Sequence, residues 1–260
     1  MYYKHLLSLF FALFACCSLT AQVKPIVRAH AHNDYMHTHP LKDALALGFT
    51  SVEADIYLIN GELFVSHERP EKTNPLKTLK SLYLDPLQKI MQANNNRVYK
   101  NYDGIFYLMI DIKSDSLHTY QALKAQILGY PEFLHNPHFK IYLTSFEDLH
   151  FVLKDKASIA GIDGRLADTK KGYSLAQVPV ISEAFKTITH WNGKDTITEN
   201  QYNQVKAFIT QVHRDGKKCR LWAIPDQPEV WRRLLNDGMD FINTDKLQEF
   251  NQFIQMNPTF

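Results

Sequence analysis

Cysteine is scarce in this chain. Of 260 residues three are cysteine; Cys16 and Cys17 fall in an N-terminal apolar run, which leaves Cys219 alone in the remainder. A single thiol makes no internal disulfide, so a cystine-stapled fold is excluded. Cys219 follows Lys217-Lys218 and opens the pattern Cys-Arg-Leu-Trp, which reads as a packed strand and not as a nucleophile. An excess of one charge is also missing. The formal net charge is +2, so composition gives no reason to invoke nucleic acid or an anionic membrane. No Pro-Gly-Ser linker, low-complexity tract or internal repeat divides the chain. After the N-terminal run no apolar stretch approaches the roughly 20 residues that span a bilayer. What is abundant is core material: 45% hydrophobic and 12% aromatic residues, enough for one large domain and too much for disorder.

At the N-terminus, Lys4 and His5 precede the apolar run Leu6 to Cys17, and Ser18-Leu19-Thr20-Ala21 offers small residues before Gln22. This is the layout of a signal peptide over residues 1–21, which predicts a secreted or periplasmic protein whose mature domain spans 22–260. A membrane anchor or a buried helix is the structural alternative. Lipoprotein processing at Cys16 is a variant that Phe14 disfavours.

From there strand-like and helix-like segments alternate to the C-terminus. Strands are expected at Ile26–His30, Ser51–Ile59, Ile105–Ile112 and Phe139–Thr144, and more weakly at Ser158–Ile162, Val178–Ile181, Arg220–Ile224 and Asp240–Asn243. Helical patterns lie at Pro40–Leu47, Leu76–Ala93, Ser116–Leu128, Phe146–Lys154, Glu199–Asp215, Pro228–Asn236 and Leu247–Phe253. Eight strands joined mostly by helices predict an α/β fold of a single domain, a closed (β/α)8 TIM barrel, with its active site at the C-terminal ends of the strands. Glu68–Pro75 and Thr189–Thr198 read as loops over that mouth.

Four strand ends carry the chemistry. Glu53 and Asp55 are two apart on one strand and share a face; inside the apolar run Val52, Ala54, Ile56 two such carboxylates repel unless a cation or proton neutralises them. Asp111 and Lys113 repeat the spacing after the apolar run Ile105 to Ile110. His30 ends the first strand and His67 follows the short run Leu63-Phe64-Val65. Taken singly these residues have bland readings: a solvent-facing strand edge, or satisfied core histidines. Together they suit metal-assisted phosphodiester cleavage, in which carboxylates hold a hard divalent cation, imidazoles move protons and an ammonium contacts phosphoryl oxygens. His37 and His39, just before Pro40, read as surface residues.

In order, His30, Glu53-Ala54-Asp55, His67 and Asp111-Ile112-Lys113 resemble the glycerophosphodiester phosphodiesterase superfamily, which includes the sphingomyelinase D toxins and the phosphatidylinositol-specific phospholipases C. Three later stretches are similar to family landmarks: Leu143-Thr144-Ser145-Phe146, Leu221-Trp222-Ala223-Ile224 and the closing run Gly238 to Asp245. The resemblance implies a single Mg²⁺ or Ca²⁺ on Glu53, Asp55 and Asp111, with His30 and His67 as base and acid. It also implies substrate contacts from Lys113, His32, Asn33 and Trp222. Two departures stand out. Ala31-His32 replaces the Arg-Gly that usually follows the first histidine, so the arginine that would grip phosphate is absent, and Asp111 stands where that branch usually has glutamate. Asp111, with Asn33 three after His30, resembles the toxin-like branch more closely. The implied substrate is a small-molecule or lipid phosphodiester, with transient membrane contact and no nucleic acid. Two rivals remain. His30-Ala31-His32 also opens the multi-metal PHP phosphoesterases, which need several more metal-binding histidines, and a secreted barrel of this kind can be a non-catalytic binding module.

Overall fold

A computed structural model describes residues 23–260; the expected leader over residues 1–21 lies outside them. Most of the β-branched or aromatic runs become strands, and those bearing His30, Glu53, Asp55 and Asp111 present these polar groups at one rim. The strands are β1 (Ile26–Ala31), β2 (Phe49–Ile59), β3 (Glu62–Val65), β4 (Phe106–Ile112), β5 (Phe139–Ser145), β6 (Gly161–Gly164), β7 (Val180–Ala184), β8 (Lys218–Trp222) and β9 (Phe241–Thr244). The helices are α1 (Lys42–Ala46), α2 (Asp85–Ala93), α3 (Ser116–Ile127), α4 (Phe185–Ile188), α5 (Glu199–Arg214), α6 (Pro228–Asn236) and α7 (Leu247–Met256). Eight strands pair in parallel in the order β1-β2-β4-β5-β6-β7-β8-β9, and β1 pairs with both β2 and β9, so the barrel closes. The TIM-barrel expectation holds.

β3 is outside the barrel, antiparallel to β2. Asn60 and Gly61, at φ of 51° and 84°, join them in the tight turn that Asn-Gly favours. This hairpin has a functional consequence. The chain leaving β3 returns along the end of β2, where Ser66 N–H donates to the Asp55 carbonyl at 3.2 Å, and so delivers His67 to the mouth.

Two helical expectations fail for local reasons. Phe146–Lys154 forms only a short 3-10 turn at Val152–Lys154. Ser145 Oγ accepts from Glu147 N–H at 3.1 Å and Asp148 Oδ1 from His150 N–H at 2.9 Å, and such side-chain bonds compete with helix initiation. Leu76–Ala93 is helical only from Lys80. Thr78 Oγ1 accepts from Ser81 N–H at 3.1 Å and the first turn is a wide π turn over Lys80–Leu84; it precedes Pro86, which has no N–H to offer the preceding turn.

The main core lies between the barrel and its helices. Trp231 of α6, fully buried, meets Phe250 and Phe253 of α7 at ring separations of 5.2 and 5.6 Å. Inside the barrel a smaller apolar layer of Tyr107, Met109, Tyr142, Val180 and Phe241 fills the lumen. On the same inward face, one step toward the C-terminal rim, the residues turn polar: His30 stands in register with Ser51 and Asn243, and Asp55 with Asp111. That step from apolar to polar is where the site begins.

Gly48, entering β2, has φ +86°, and a Cβ there would stand 2.3 Å from the Lys24 carbonyl oxygen. Gly172 also has positive φ (+69°) but nothing within 4 Å. Gly172→Ala is expected to cost about 1 kcal/mol for the backbone conformation alone, and Gly48→Ala distinctly more because backbone must move. Urea midpoints of the two variants check this; equal losses would contradict it.

Candidate active site at the mouth of the barrel

The C-terminal rim holds a cavity of about 330 Å³ whose lining includes His32, Glu53, His67, Asp111, Lys113 and Trp222. With Asn33, which also lines it, seven of the residues singled out from sequence meet in one place.

Glu53, Asp55 and Asp111 each offer an oxygen within 4.8 Å of the others. Asp55 is fully buried, and its Oδ1 has no hydrogen-bond partner. Burial, together with the charges of Glu53 and Asp111, pushes the Asp55 carboxyl up to about 7, against the pull of Lys113 and the Tyr35 hydroxyl. Burial likewise raises Asp111. Lys113 Nζ sits 2.6 Å from Asp111 Oδ2 and 3.1 Å from Asp55 Oδ2. Burial works against its charge, yet those two carboxylates hold its pKa above the usual lysine value. An orphaned buried oxygen and three converging carboxylates fit a hard, oxygen-seeking divalent cation. Among the described residues no comparable arrangement of soft ligands is present at this end.

The two histidines of His30-Ala31-His32 have different surroundings. His30 is fully buried beneath the cavity. A carboxylate only accepts, so Nε2 donates to Glu53 Oε2 at 3.3 Å and Nδ1 accepts from the Ser51 hydroxyl at 2.7 Å. Burial and the Arg220 guanidinium, 3.3 Å from Nε2, drop its pKa to about 4 even though Glu53 pulls the other way. Both ring nitrogens are spent on protein, so the expectation of His30 as a proton-transfer group meets a geometry suited to positioning Glu53. His32 stands one step nearer solvent, with 27% of its side chain exposed. Its Nδ1 donates to Asp245 Oδ1 at 2.8 Å and its Nε2 lies 4.0 Å from Glu53 Oε2. Burial disfavours its charge, but Asp245 and Glu53 outweigh that and raise its pKa. Asp245 is itself fixed: Asp226 Oδ2 accepts from its N–H at 3.0 Å and from Thr244 Oγ1 at 2.9 Å, while Trp231 Nε1 donates to Asp226 Oδ1 at 2.8 Å. Ordinary core packing in α6 thus sets the orientation of a mouth histidine.

His67 is 55% exposed, with Nδ1 3.2 Å from Glu68 Oε1. It also borders a second depression of about 820 Å³. Trp222 is 38% exposed at the rim and Phe146 92% exposed, with Lys113 Nζ 5.1 Å from the Phe146 ring centre.

Sequence reasoning missed Arg220. Its guanidinium, nearly inaccessible, spans Asn243 Oδ1 (2.8 Å), Asp163 Oδ2 (3.3 Å), Ser182 Oγ (3.2 Å) and Glu53 Oε2 (3.8 Å). Asp163 and Arg165 of the β6 end line the same cavity. The signal was available: in Cys-Arg-Leu-Trp, Arg220 and Trp222 are two apart and share the inward face. Tyr35 was missed as well; its hydroxyl donates at 2.8 Å to Asp55 Oδ2 and lies as near Asn33 Oδ1.

Barrel and site together define a (β/α)8 protein of the phosphodiesterase type. More particularly, the chain belongs to the AIM6-like phosphodiesterase domain family, whose profile matches residues 17–160. Among curated proteins it is similar to Altered inheritance of mitochondria protein 6 of Eremothecium gossypii, 28% identical across 92% of this chain and 72% of that protein. The homolog from Arthroderma benhamiae is 27% identical across 87% of this chain and 83% of that protein. Solved glycerophosphodiester phosphodiesterases share the fold. The enzyme from Parabacteroides distasonis superposes with a TM-score of 0.55 at 16% identity, covering 91% of this chain and all of that one. The Agrobacterium tumefaciens enzyme gives 0.54 at 14% identity, covering 88% and 100%.

Removing the buried cation Arg220 leaves Asp163 and Glu53 without their shared partner. Arg220→Ala is expected to destabilise the barrel by about 3–5 kcal/mol, read from urea unfolding; a loss below about 1 kcal/mol would show the network is not under that tension.

Proposed function

We propose that this protein is a metal-dependent phosphodiesterase acting on small-molecule or lipid phosphodiesters of the glycerophosphodiester or lysophospholipid kind. One observation carries the reading: Glu53, Asp55 and Asp111 converge, with Lys113 bridging the two aspartates, at a cavity that both His32 and His67 line. The three carboxylates would hold Mg²⁺ or Ca²⁺, which when bound offsets charge on a non-bridging phosphate oxygen.

The remaining work falls to the chain. With its Nδ1 proton given to Asp245, His32 presents an unprotonated Nε2 toward the cavity and accepts the proton of the attacking hydroxyl. That nucleophile is water or a hydroxyl adjacent to the phosphate on the substrate; the latter gives a cyclic phosphate first. His67 protonates the departing alcohol oxygen. Lys113 and Arg165 face the phosphate with positive charge, and Arg165 supplies from β6 what is lacking after the first histidine. Exposed Phe146 and Trp222 suit an apolar substituent or brief contact with a membrane. The expected leader over residues 1–21 supports an activity outside the cytoplasm. A PHP-type site finds no support at this mouth: His118, His135, His138, His150 and His190 do not line the cavity.

His32→Ala and His67→Ala are each expected to lower diester turnover by about 10²–10⁴-fold with the fold intact. Activity should vanish with a chelator and return with Mg²⁺ or Ca²⁺, and phosphomonoesters should be poor substrates. Preferential monoester hydrolysis, or an active His32→Ala beside a dead but folded His30→Gln, would overturn the assignment.

A further inference from the structure

At the opposite, N-terminal end of the barrel three side chains from three elements meet: His213 in the last turn of α5, Cys219 near the start of β8 and Asp240 just before β9. His213 Nε2 is 2.7 Å from Asp240 Oδ2, Cys219 Sγ is 3.2 Å from the same oxygen, and Sγ and Nε2 are 3.6 Å apart. Ligands bound tetrahedrally to Zn²⁺ at about 2.0–2.3 Å stand about 3.3–3.6 Å from one another. Both sulfur separations already approximate that spacing. Only the nitrogen–oxygen pair, drawn together by its hydrogen bond, has to open, by about half an ångström.

We propose that His213, Cys219 and Asp240 form a second, independent metal site that binds one zinc-class transition-metal ion. The phosphodiesterase reading has no part in this inference.

The carboxylate divides its labour in a way that suits the role. Asp240 Oδ1 is engaged by Lys218 Nζ at 3.1 Å, which fixes the side chain and neutralises half the site. Oδ2 accepts from the Cys219 backbone N–H at 2.9 Å and also faces the thiol and the imidazole. Two of the three hydrogens crowding this oxygen belong to groups that bind metal once relieved of them. When the cation enters, the thiol proton leaves to solvent and a sulfur–metal bond forms. The neutral imidazole, whose Nε2–H now points at Oδ2, shifts its proton to Nδ1 by exchange with solvent and offers the freed Nε2 lone pair. The balance is one ion gained for one proton released. Before that, burial and the Asp240 charge hold the thiol well above its usual pKa, so Cys219 is no free nucleophile. His213 is 42% exposed, which leaves a fourth position to water.

One sulfur, one nitrogen and one oxygen select a borderline ion such as Zn²⁺ over Mg²⁺ or Ca²⁺. The mouth, all oxygen, selects the reverse. The two ends of one barrel would thus sort two classes of cation, and the lower ion would tie α5 to β8 and β9.

The test is a Co²⁺ titration of the full-length chain in saturating Mg²⁺, watching the near-ultraviolet thiolate-to-cobalt charge-transfer band. Wild type and a Cys16→Ser/Cys17→Ser double variant should each develop the band to one equivalent. Cys219→Ser should lose it, and His213→Ala should lose or markedly weaken it. Zn²⁺ should raise the Tm of wild type and not of Cys219→Ser. No band in wild type, or a band that survives Cys219→Ser, overturns the site and leaves the three residues as a hydrogen-bonded tie between α5 and the sheet. Should Cys219→Ser fail to fold, the titration of wild type against His213→Ala decides alone.

Discussion

Three carboxylates share one small volume at the C-terminal rim, and the arrangement around them answers their mutual repulsion. Asp55 and Asp111 are neighbours in register across β2 and β4, so the parallel pairing that closes the barrel also forces their charges together. Lys113 bridges the two, the Tyr35 hydroxyl donates to Asp55, and Arg220 with His30 faces Glu53 from below. Desolvated like charges at this spacing need a proton or a cation. The ammonium of Lys113 meets that need on one side only, and Asp55 Oδ1 still has no partner. A divalent ion at the three carboxylates would relieve Lys113 of that counter-ion role.

The layering of the lumen keeps this device in place. Tyr107, Tyr142 and Phe241 plug the barrel beneath His30, which leaves the polar groups with low-dielectric walls below and water only above. Orientation at the rim is inherited from packing elsewhere. The indole of Trp231, buried between α6 and α7, reaches Asp226; Asp226 fixes the start of the Thr244-Asp245 turn; Asp245 sets the tautomer of His32. The hairpin of β2 and β3 brings His67 in from the other side. A site built this way depends on register and turn chemistry, and much less on any one strong bond.

Much of this was legible beforehand, and the reasons differ by element. All eight barrel strands were visible because buried parallel strands leave short, dense β-branched runs. The acidic set was visible because Glu53, Asp55 and Asp111 interrupt such runs at a spacing of two. The helix at Phe146–Lys154 failed because Ser145 and Asp148 spend their side chains on nearby backbone, which periodicity does not see. Cys-Arg-Leu-Trp reads as packing because Cys219 and Leu221 face outward into the core, while Arg220 between them faces the lumen. The distinction between His30 and His32 was beyond one-dimensional reading. Both lie on the same face of β1 and its extension, and only the depth of the apolar plug decides which is buried.

The proposed chemistry at the mouth rests on the acidic cluster being a cation site. Isothermal titration of Mg²⁺ and Ca²⁺ into metal-stripped protein addresses that most directly, with Asp55→Asn as the comparison, since it removes the most buried charge and preserves shape. One saturable hard-cation site per chain is expected in wild type, and its loss in a folded Asp55→Asn. An absence of binding in wild type, or unchanged binding in Asp55→Asn, would contradict a cation site there.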